Sequence, residues 1–157
     1  VGAEAGEASR ALEIGPARLS ECDALAAEIA RALPEDAWSA PQLSSEIALP
    51  EGRVWAARAG GAVAGFLVAR RELAALHVLL IGVAPERRRT GIARRMLSAL
   101  LGSERGLAEA YLEVREGNPG AQAFYRALGF AVAGRRPRHY PGGEAAILMT
   151  RSLAPRG

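Results

Sequence analysis

Two hydrophobic rhythms divide the chain. Leu25, Ile29 and Leu33 recur at i, i+4 and i+8 and predict a helix over 23–33. Ile92, Met96, Leu97, Leu100 and Leu101 repeat at the same helical spacing and predict a second helix ending near Leu101. A third is expected over AQAFYRAL (121–128), closed by Gly129 in the left-handed cap position with Phe130 behind it. Between them run short segments of strand character. These are ALEIGPARL (11–19), RVWAA (53–57), AVAGFLVA (62–69), Leu76–Val83, YLEVR (111–115), Phe130–Arg135 and Glu144–Arg151. Arg58-Ala59-Gly60-Gly61 is a hairpin signal and Pro141-Gly142-Gly143 a turn. The Pro- and Ser-punctuated stretch 34–52 carries a short helix around Gln42–Ala48. Strands alternating with helices in this order predict a mixed α/β sheet in a single domain over 11–153. Residues 1–10, small and polar, read as a disordered tail, and 154–157 as a short C-terminal tail.

Composition narrows the class. A chain of 157 residues, half of them apolar, has the size of one domain with a proper core. The single cysteine, Cys22, forms no internal disulfide and no cysteine-based zinc site; it fits a reducing compartment and is expected to be buried in the first helix. The apolar run LAALHVLLIGV (73–83) is too short to span a bilayer and carries a histidine. No basic segment followed by an apolar one opens the chain, so no secretory signal is expected. All 20 basic residues are arginine, and the net charge is +3. That charge is too modest to argue for nucleic-acid binding alone, but arginine holds phosphate bidentately and stays charged.

The strand LLIGVAP leads directly into ERRRTGIARRML, so Arg87, Arg88 and Arg89 crowd the start of a helix. The helix dipole is already positive there and disfavours cations unless an anion joins them. Arg88-Arg89-Thr90-Gly91-Ile92-Ala93 lets backbone approach a ligand closely, and N–H groups at a helix start cradle phosphate. It lacks the Gly-Lys-Ser/Thr of a Walker loop and the spaced glycines of a dinucleotide fingerprint.

A second constellation is YLEVREGNPGAQAFYRALGF (111–130). Period two puts Tyr111, Glu113 and Arg115 on one face of a strand and Leu112 and Val114 on the other. A carboxylate near the end of a central strand is unusual. Residue type alone leaves open an ion pair of Glu113 with an arginine, and a packing role for Tyr125.

These two segments resemble the GNAT superfamily of acetyl-CoA-dependent N-acetyltransferases. The likeness covers about Glu13–Leu153 and is tightest over 81–94 and 112–130. LEVR, Asn118 and FYRALGF, together with Asp36-Ala37-Trp38-Ser39 and RHYPGGEAAILM, are similar to the RimI-type branch, which acetylates the N-terminal alanine of a ribosomal protein. The resemblance implies a mixed, mostly antiparallel twisted sheet flanked by helices. It implies that the backbone of Ile81, Gly82 and Val83 pairs with the pantetheine arm of acetyl-CoA, with an N–H near Val83 stabilising the oxyanion. It implies that Arg88, Arg89, Thr90, Gly91, Ile92, Ala93 and Arg94 hold the pyrophosphate, and that Asn118 also contacts acetyl-CoA. Glu113 would be the general base and Tyr125 the general acid, with Trp38, Ser39 and Tyr140 touching the acceptor and no metal involved. Ala75, Leu76 and His77 stand where many relatives carry an acid, which leaves Glu113 as the main base and His77 as the second. Glu35, Asp36, Glu46 and Glu116 are the acids expected to receive a basic peptide.

The expected function is therefore acetyl transfer from acetyl-CoA to a protein N-terminus, possible partners including a ribosomal protein, by a cytoplasmic monomer or weak dimer that binds neither membrane nor nucleic acid. The alternatives are a small-molecule amine as acceptor, or a basic module using Arg87–Arg89 and 135–138 to bind nucleic acid, for which interleaved aromatics are lacking.

Overall fold

The computed structural model describes residues 12–153. The two tails expected at 1–10 and 154–157, and Ala11, lie outside the described residues. The elements are β1 (Leu12–Pro16), α1 (Cys22–Ala32), α2 (Ala40–Ala48), β2 (Gly52–Ala59), β3 (Ala62–Glu72), β4 (Ala75–Val83), α3 (Ile92–Ser103), β5 (Glu109–Arg115), α4 (Pro119–Ala127), β6 (Ala131–Arg136) and β7 (Ala146–Ser152). The strands are hydrogen-bonded in the order β1-β2-β3-β4-β5-β7-β6. β1/β2, β2/β3, β5/β7 and β6/β7 are antiparallel and β4/β5 is parallel, the mixed and mostly antiparallel sheet that was expected. No helix among the described residues is long and apolar enough to cross a membrane.

By internal contacts the described chain groups into two compact units, and the path changes from one to the other inside β4. The first holds the residues up to Arg70 together with Leu80–Glu104. Its hairpin is tighter than the sequence suggests. β2 continues through Arg58 and Ala59, and the turn shrinks to Gly60-Gly61, both at positive φ (57° and 82°). Two adjacent residues at positive φ match the right-handed twist of the flanking strands, which glycine adopts without strain. Arg58 stays in the strand because its buried guanidinium is engaged by Glu21 through both Nε and Nη2, and Nη2 also donates to the Pro16 carbonyl at 2.9 Å. Close packing explains two further glycines. A methyl on Gly82 would stand 2.7 Å from the Phe66 ring, and one on Gly65 would stand 2.9 Å from the Met96 side chain. The strands thus pack against each other and against α3 at a distance that leaves no room for a β-carbon.

The second unit holds Arg71–Leu79 and the residues from Arg105 onward. β5 pairs with β4 over Ala75–His77 against Glu109–Tyr111, and with β7 along its whole length. Burial along β5 alternates strictly: Ala110, Leu112 and Val114 are buried, and Tyr111, Glu113 and Arg115 are half-buried. β6 joins β7 with a bulge between Val132 and Gly134.

The Glu21–Arg58 pair makes the fold acid-sensitive. The Arg58 guanidinium is the chief cause that holds the Glu21 carboxyl below its ordinary value of 4.5. A depressed carboxylate contributes its stabilisation above the unfolded value and loses it as pH falls through the folded one. Glu21→Gln is expected to cost about 2 kcal/mol at neutral pH, less than a fully buried pair because Arg58 keeps its other partners, and to cost progressively less as pH falls from 4.5 through the lowered folded value. Urea unfolding of both proteins across this range checks it; a difference that stays constant with pH would contradict the assignment.

Candidate active site

In the first unit the Arg-rich loop is built around two left-handed residues. Arg89 has φ 65° and Gly91 φ 80°. The glycine accommodates this freely and faces open space, whereas a non-glycine residue such as Arg89 rarely adopts it. Thr90 Oγ1 donates to the Arg87 carbonyl at 2.5 Å and fastens the turn. Arg31 on α1 reaches Glu86 at 2.8 Å and Glu28 at 2.8 Å, which fixes the single turn 85–87 and engages the one carboxylate next to the arginines. Gly91 is then the N-cap of α3. No side chain caps this helix and its first turn carries no acid, unlike α2, where Ser39 Oγ accepts from the Gln42 N–H at 3.2 Å. Ile92 and Ala93 are buried and anchor the helix start, while Arg88, Arg89, Thr90 and Arg94 are exposed. The loop combines backbone donors, the positive end of a helix and fixed guanidinium charge, the ingredients of a phosphate site. Ile81, Gly82 and Val83, expected to line the pantetheine arm, are buried in β4. Trp38 is half-buried, and Ser39 has a structural duty as the cap of α2.

In the second unit Glu113 lies where period two puts it, its side chain only 12% exposed. His139 Nε2 is 2.6 Å from Glu113 Oε2, and Arg136 Nη1 is 3.7 Å from Oε1. Arg136 is thus an arginine partner of Glu113 of the kind the sequence left open, and Arg115 reaches Glu144 at 3.2 Å and stacks over the Tyr140 ring at 4.1 Å. Asn118, expected at acetyl-CoA, is the N-cap of α4, its Oδ1 accepting from the Ala121 N–H at 3.0 Å, with Pro119 at the first helical position. Tyr125 is half-buried and packs edge-on against Phe124 and Phe130. The left-handed cap at Gly129 (φ 95°) is present as the sequence indicated.

His77 stacks on Tyr111 with ring centroids 4.3 Å apart, and its Nδ1 lies 3.6 Å from Glu72. Tyr111 donates to Glu72 at 2.5 Å, and burial first, then Glu72, pushes its phenol up to about 12. Two of the acids expected to receive a basic peptide are otherwise occupied. Glu46 is buried and gripped by Arg70 at 2.8 and 2.7 Å, and Glu116 is paired with Arg135. Glu35 and Asp36 remain exposed. His139 escaped the sequence reading: RHYPGG marks a turn, and nothing in its spacing relates it to Glu113, 26 positions earlier.

Residues 23–130 match the acetyltransferase (GNAT) family, and the chain belongs to that family. It is an acetyl-CoA-dependent acetyltransferase of RimI-like type. The chain is 37% identical over 110 residues to the N-alpha-acetyltransferase RimI of Mycobacterium tuberculosis, covering 68% of this chain and 69% of that protein. It is 37% identical over 94 residues to the ribosomal protein bS18 alanine N-acetyltransferase of Escherichia coli, covering 57% of this chain and 64% of that protein, just under two thirds. The crystal structure of the Escherichia coli enzyme superposes with a TM-score of 0.80 over 93% of this chain and 96% of that one, at 28% identity. A 5-NmdU N-acetyltransferase of Pseudomonas phage PaMx11 is 34% identical over 93 residues, covering 58% of this chain and 66% of that protein.

Charge reversal in the loop separates ligand binding from folding. Arg89→Glu together with Arg94→Glu is expected to weaken coenzyme A binding by at least tenfold, since charge-assisted bonds to phosphate contribute roughly 1.5–3 kcal/mol each. The unfolding midpoint should move little, because both side chains are exposed. Calorimetric titration with coenzyme A is the check, and an unchanged affinity would remove the loop from the binding site.

Proposed function

We propose that this enzyme acetylates the N-terminal α-amine of a protein, a ribosomal protein beginning with alanine being the first candidate, with Glu113 as general base and Tyr125 as general acid. The observation that carries the reading is the 37% identity to two N-terminal acetyltransferases, one of them named for ribosomal protein bS18. The enzyme works in the cytoplasm as a monomer or weak dimer, without a membrane or nucleic-acid partner. Arg135 and Arg136, which a nucleic-acid reading would need, are directed to Glu116 and Glu113.

The chemistry gives each residue type its task. An α-amine has a pKa of about 8 and is mostly protonated, hence not nucleophilic, at neutral pH. A carboxylate within reach, directly or through one water, removes that proton. Glu113 is shielded from bulk solvent yet sits on the half-buried face of β5, where an acceptor can approach it. The amine then attacks the thioester carbonyl, and the tetrahedral intermediate collapses with loss of the thiolate of coenzyme A. Proton transfer from a phenol (about 10) to a thiolate (about 8.5) is uphill by roughly 1.5 units. Tyr125 therefore acts mainly as a hydrogen-bond donor to the sulfur, strongest where its charge is greatest. Ile81, Gly82, Val83, the loop 88–94 and Asn118 bind acetyl-CoA. Trp38, Ser39 and Tyr140 contact the acceptor.

A small-molecule amine is the second reading, and the phage 5-NmdU N-acetyltransferase, 34% identical over 93 residues, is a relative named for an acceptor other than a protein. Thiol release from acetyl-CoA with an N-terminal-alanine peptide, the same peptide with a blocked α-amine, and simple polyamines decides between them. Turnover confined to the free peptide supports the first reading, and turnover confined to the amines overturns it.

Glu113→Gln is expected to lower kcat by about 10²–10⁴ at neutral pH with the KM for acetyl-CoA unchanged. Part of the loss should return at high pH, where the free amine forms unaided; wild-type turnover near pH 7 would exclude Glu113 as base. Tyr125→Phe keeps the ring contacts with Phe124 and Phe130 and removes only the hydroxyl. It should reduce kcat most with donors whose thiol is a poor leaving group. Equal dependence of both enzymes on donor thiol pKa would assign Tyr125 to packing.

A further inference from the structure

The segment that follows β6 is held in place at several points. Arg138 adopts φ 53°, a left-handed conformation unusual for arginine, immediately before His139. On the other side, the Tyr140 N–H donates to the Glu144 carbonyl at 3.0 Å and the Gly143 N–H to the Tyr140 carbonyl at 3.0 Å. The Tyr140 ring lies under Arg115 of β5, and the His139 ring meets Tyr140 edge-on at 4.9 Å. Glu144 ties the far end back to β5 and the loop after it, through Arg115 at 3.2 Å and the Gly117 N–H at 2.9 Å. His139 is therefore clamped between a strained residue and a bolted turn, and its Nε2 rests 2.6 Å from Glu113 Oε2. The carboxylate is 12% exposed and the imidazole 35% exposed, so the pair forms a step from the sheet face toward solvent.

We propose that His139 is a positioning residue for Glu113 that also passes the proton taken from the acceptor ammonium on to solvent. The inference rests on Glu113 being the base. Acetyl transfer to an ammonium produces the amide, the thiol and one proton released to solvent. Glu113 takes the first amine proton, and its carboxyl O–H then gives that proton to the imidazole at Nε2. The imidazolium loses a proton at Nδ1 to water or buffer, exchange with solvent returns the ring to the tautomer with Nε2 unprotonated, and the second amine proton leaves with the thiol. Histidine is the side chain whose ordinary titration range makes both transfers feasible near neutral pH. The charged and titratable groups around the pair are Arg136 on β6, Tyr111 and Arg115 on β5, and Arg138, Tyr140 and Glu144 in the segment itself. Arg136 and Arg138 hold their protons and Tyr111 titrates far above neutrality, so none of these three passes a proton on near neutral pH.

The test is kcat with an N-terminal-alanine peptide at saturating acetyl-CoA, for wild type, His139→Gln, His139→Phe and Glu113→Gln, as buffer and added imidazole are varied. His139→Gln and His139→Phe should lose about tenfold in kcat, below the full value of a general base, with the KM for acetyl-CoA unchanged. Their rates should rise with imidazole concentration while the wild-type rate stays flat. Loss that imidazole does not restore in either variant, or no loss, overturns the relay. If Glu113→Gln is impaired and the His139 variants are not, only this inference fails; if Glu113→Gln is fully active, the base assignment fails and takes the relay with it.

Discussion

β5 cannot slip along its neighbour. Its buried positions are Ala110, Leu112 and Val114, and its half-buried ones are Tyr111, Glu113 and Arg115. A shift of one residue against β7 would bring Glu113 and Arg115 into the apolar layer and turn Leu112 and Val114 outward. Burying an unpaired carboxylate costs far more than any single ladder bond returns. This one constraint fixes which face carries Glu113, which arginine meets Tyr140, and where the segment after β6 must land. Leu148 and Ala146 of β7 lie opposite Glu113 and Arg115, so β6 and its following turn inherit their register from the same alternation.

The first unit solves a different problem. A helix start leaves backbone N–H groups without intrahelical partners, and most helices supply a side-chain cap. α2 does so with Ser39, and in the second unit α4 does so with Asn118. α3 begins on Gly91, which has no side chain to offer, and keeps arginines rather than acids nearby. The arrangement is unfavourable for an isolated helix. Burial of Ile92, Ala93, Met96 and Leu97 compensates, so the stability of α3 comes from its apolar side rather than from its N-terminus.

Periodicity made the elements readable. The helices over 23–33 and 121–128 and the strand over 111–115 differ from the structure by a few terminal residues at most. The arginine cluster before the helix at 92–101 was equally plain, because charge at a helix start is local, whereas the left-handed turn at Arg89 and Gly91 was not. What sequence could not supply were the side chains whose partners lie far along the chain. Glu46 looked like a surface acid on a short helix, yet Arg70, 24 positions away, closes over it. Asn118 could be recognised as a family residue but not as a cap until the start of α4 was known. His139 became informative only through a turn whose path depends on Arg138, a residue with no propensity for the conformation it adopts.

The arginine-only composition has a chemical side beyond charge. Thioesters acylate unprotonated primary amines without any catalyst, and a lysine beside a bound acetyl thioester is an obvious victim. None of the 157 residues is lysine, so no side chain in this sequence carries a primary amine. The exposed cations at Arg88, Arg89 and Arg94 are guanidinium groups that hold their protons and do not attack carbonyl carbon. The exposed cations of this loop are thus groups that a thioester does not acylate.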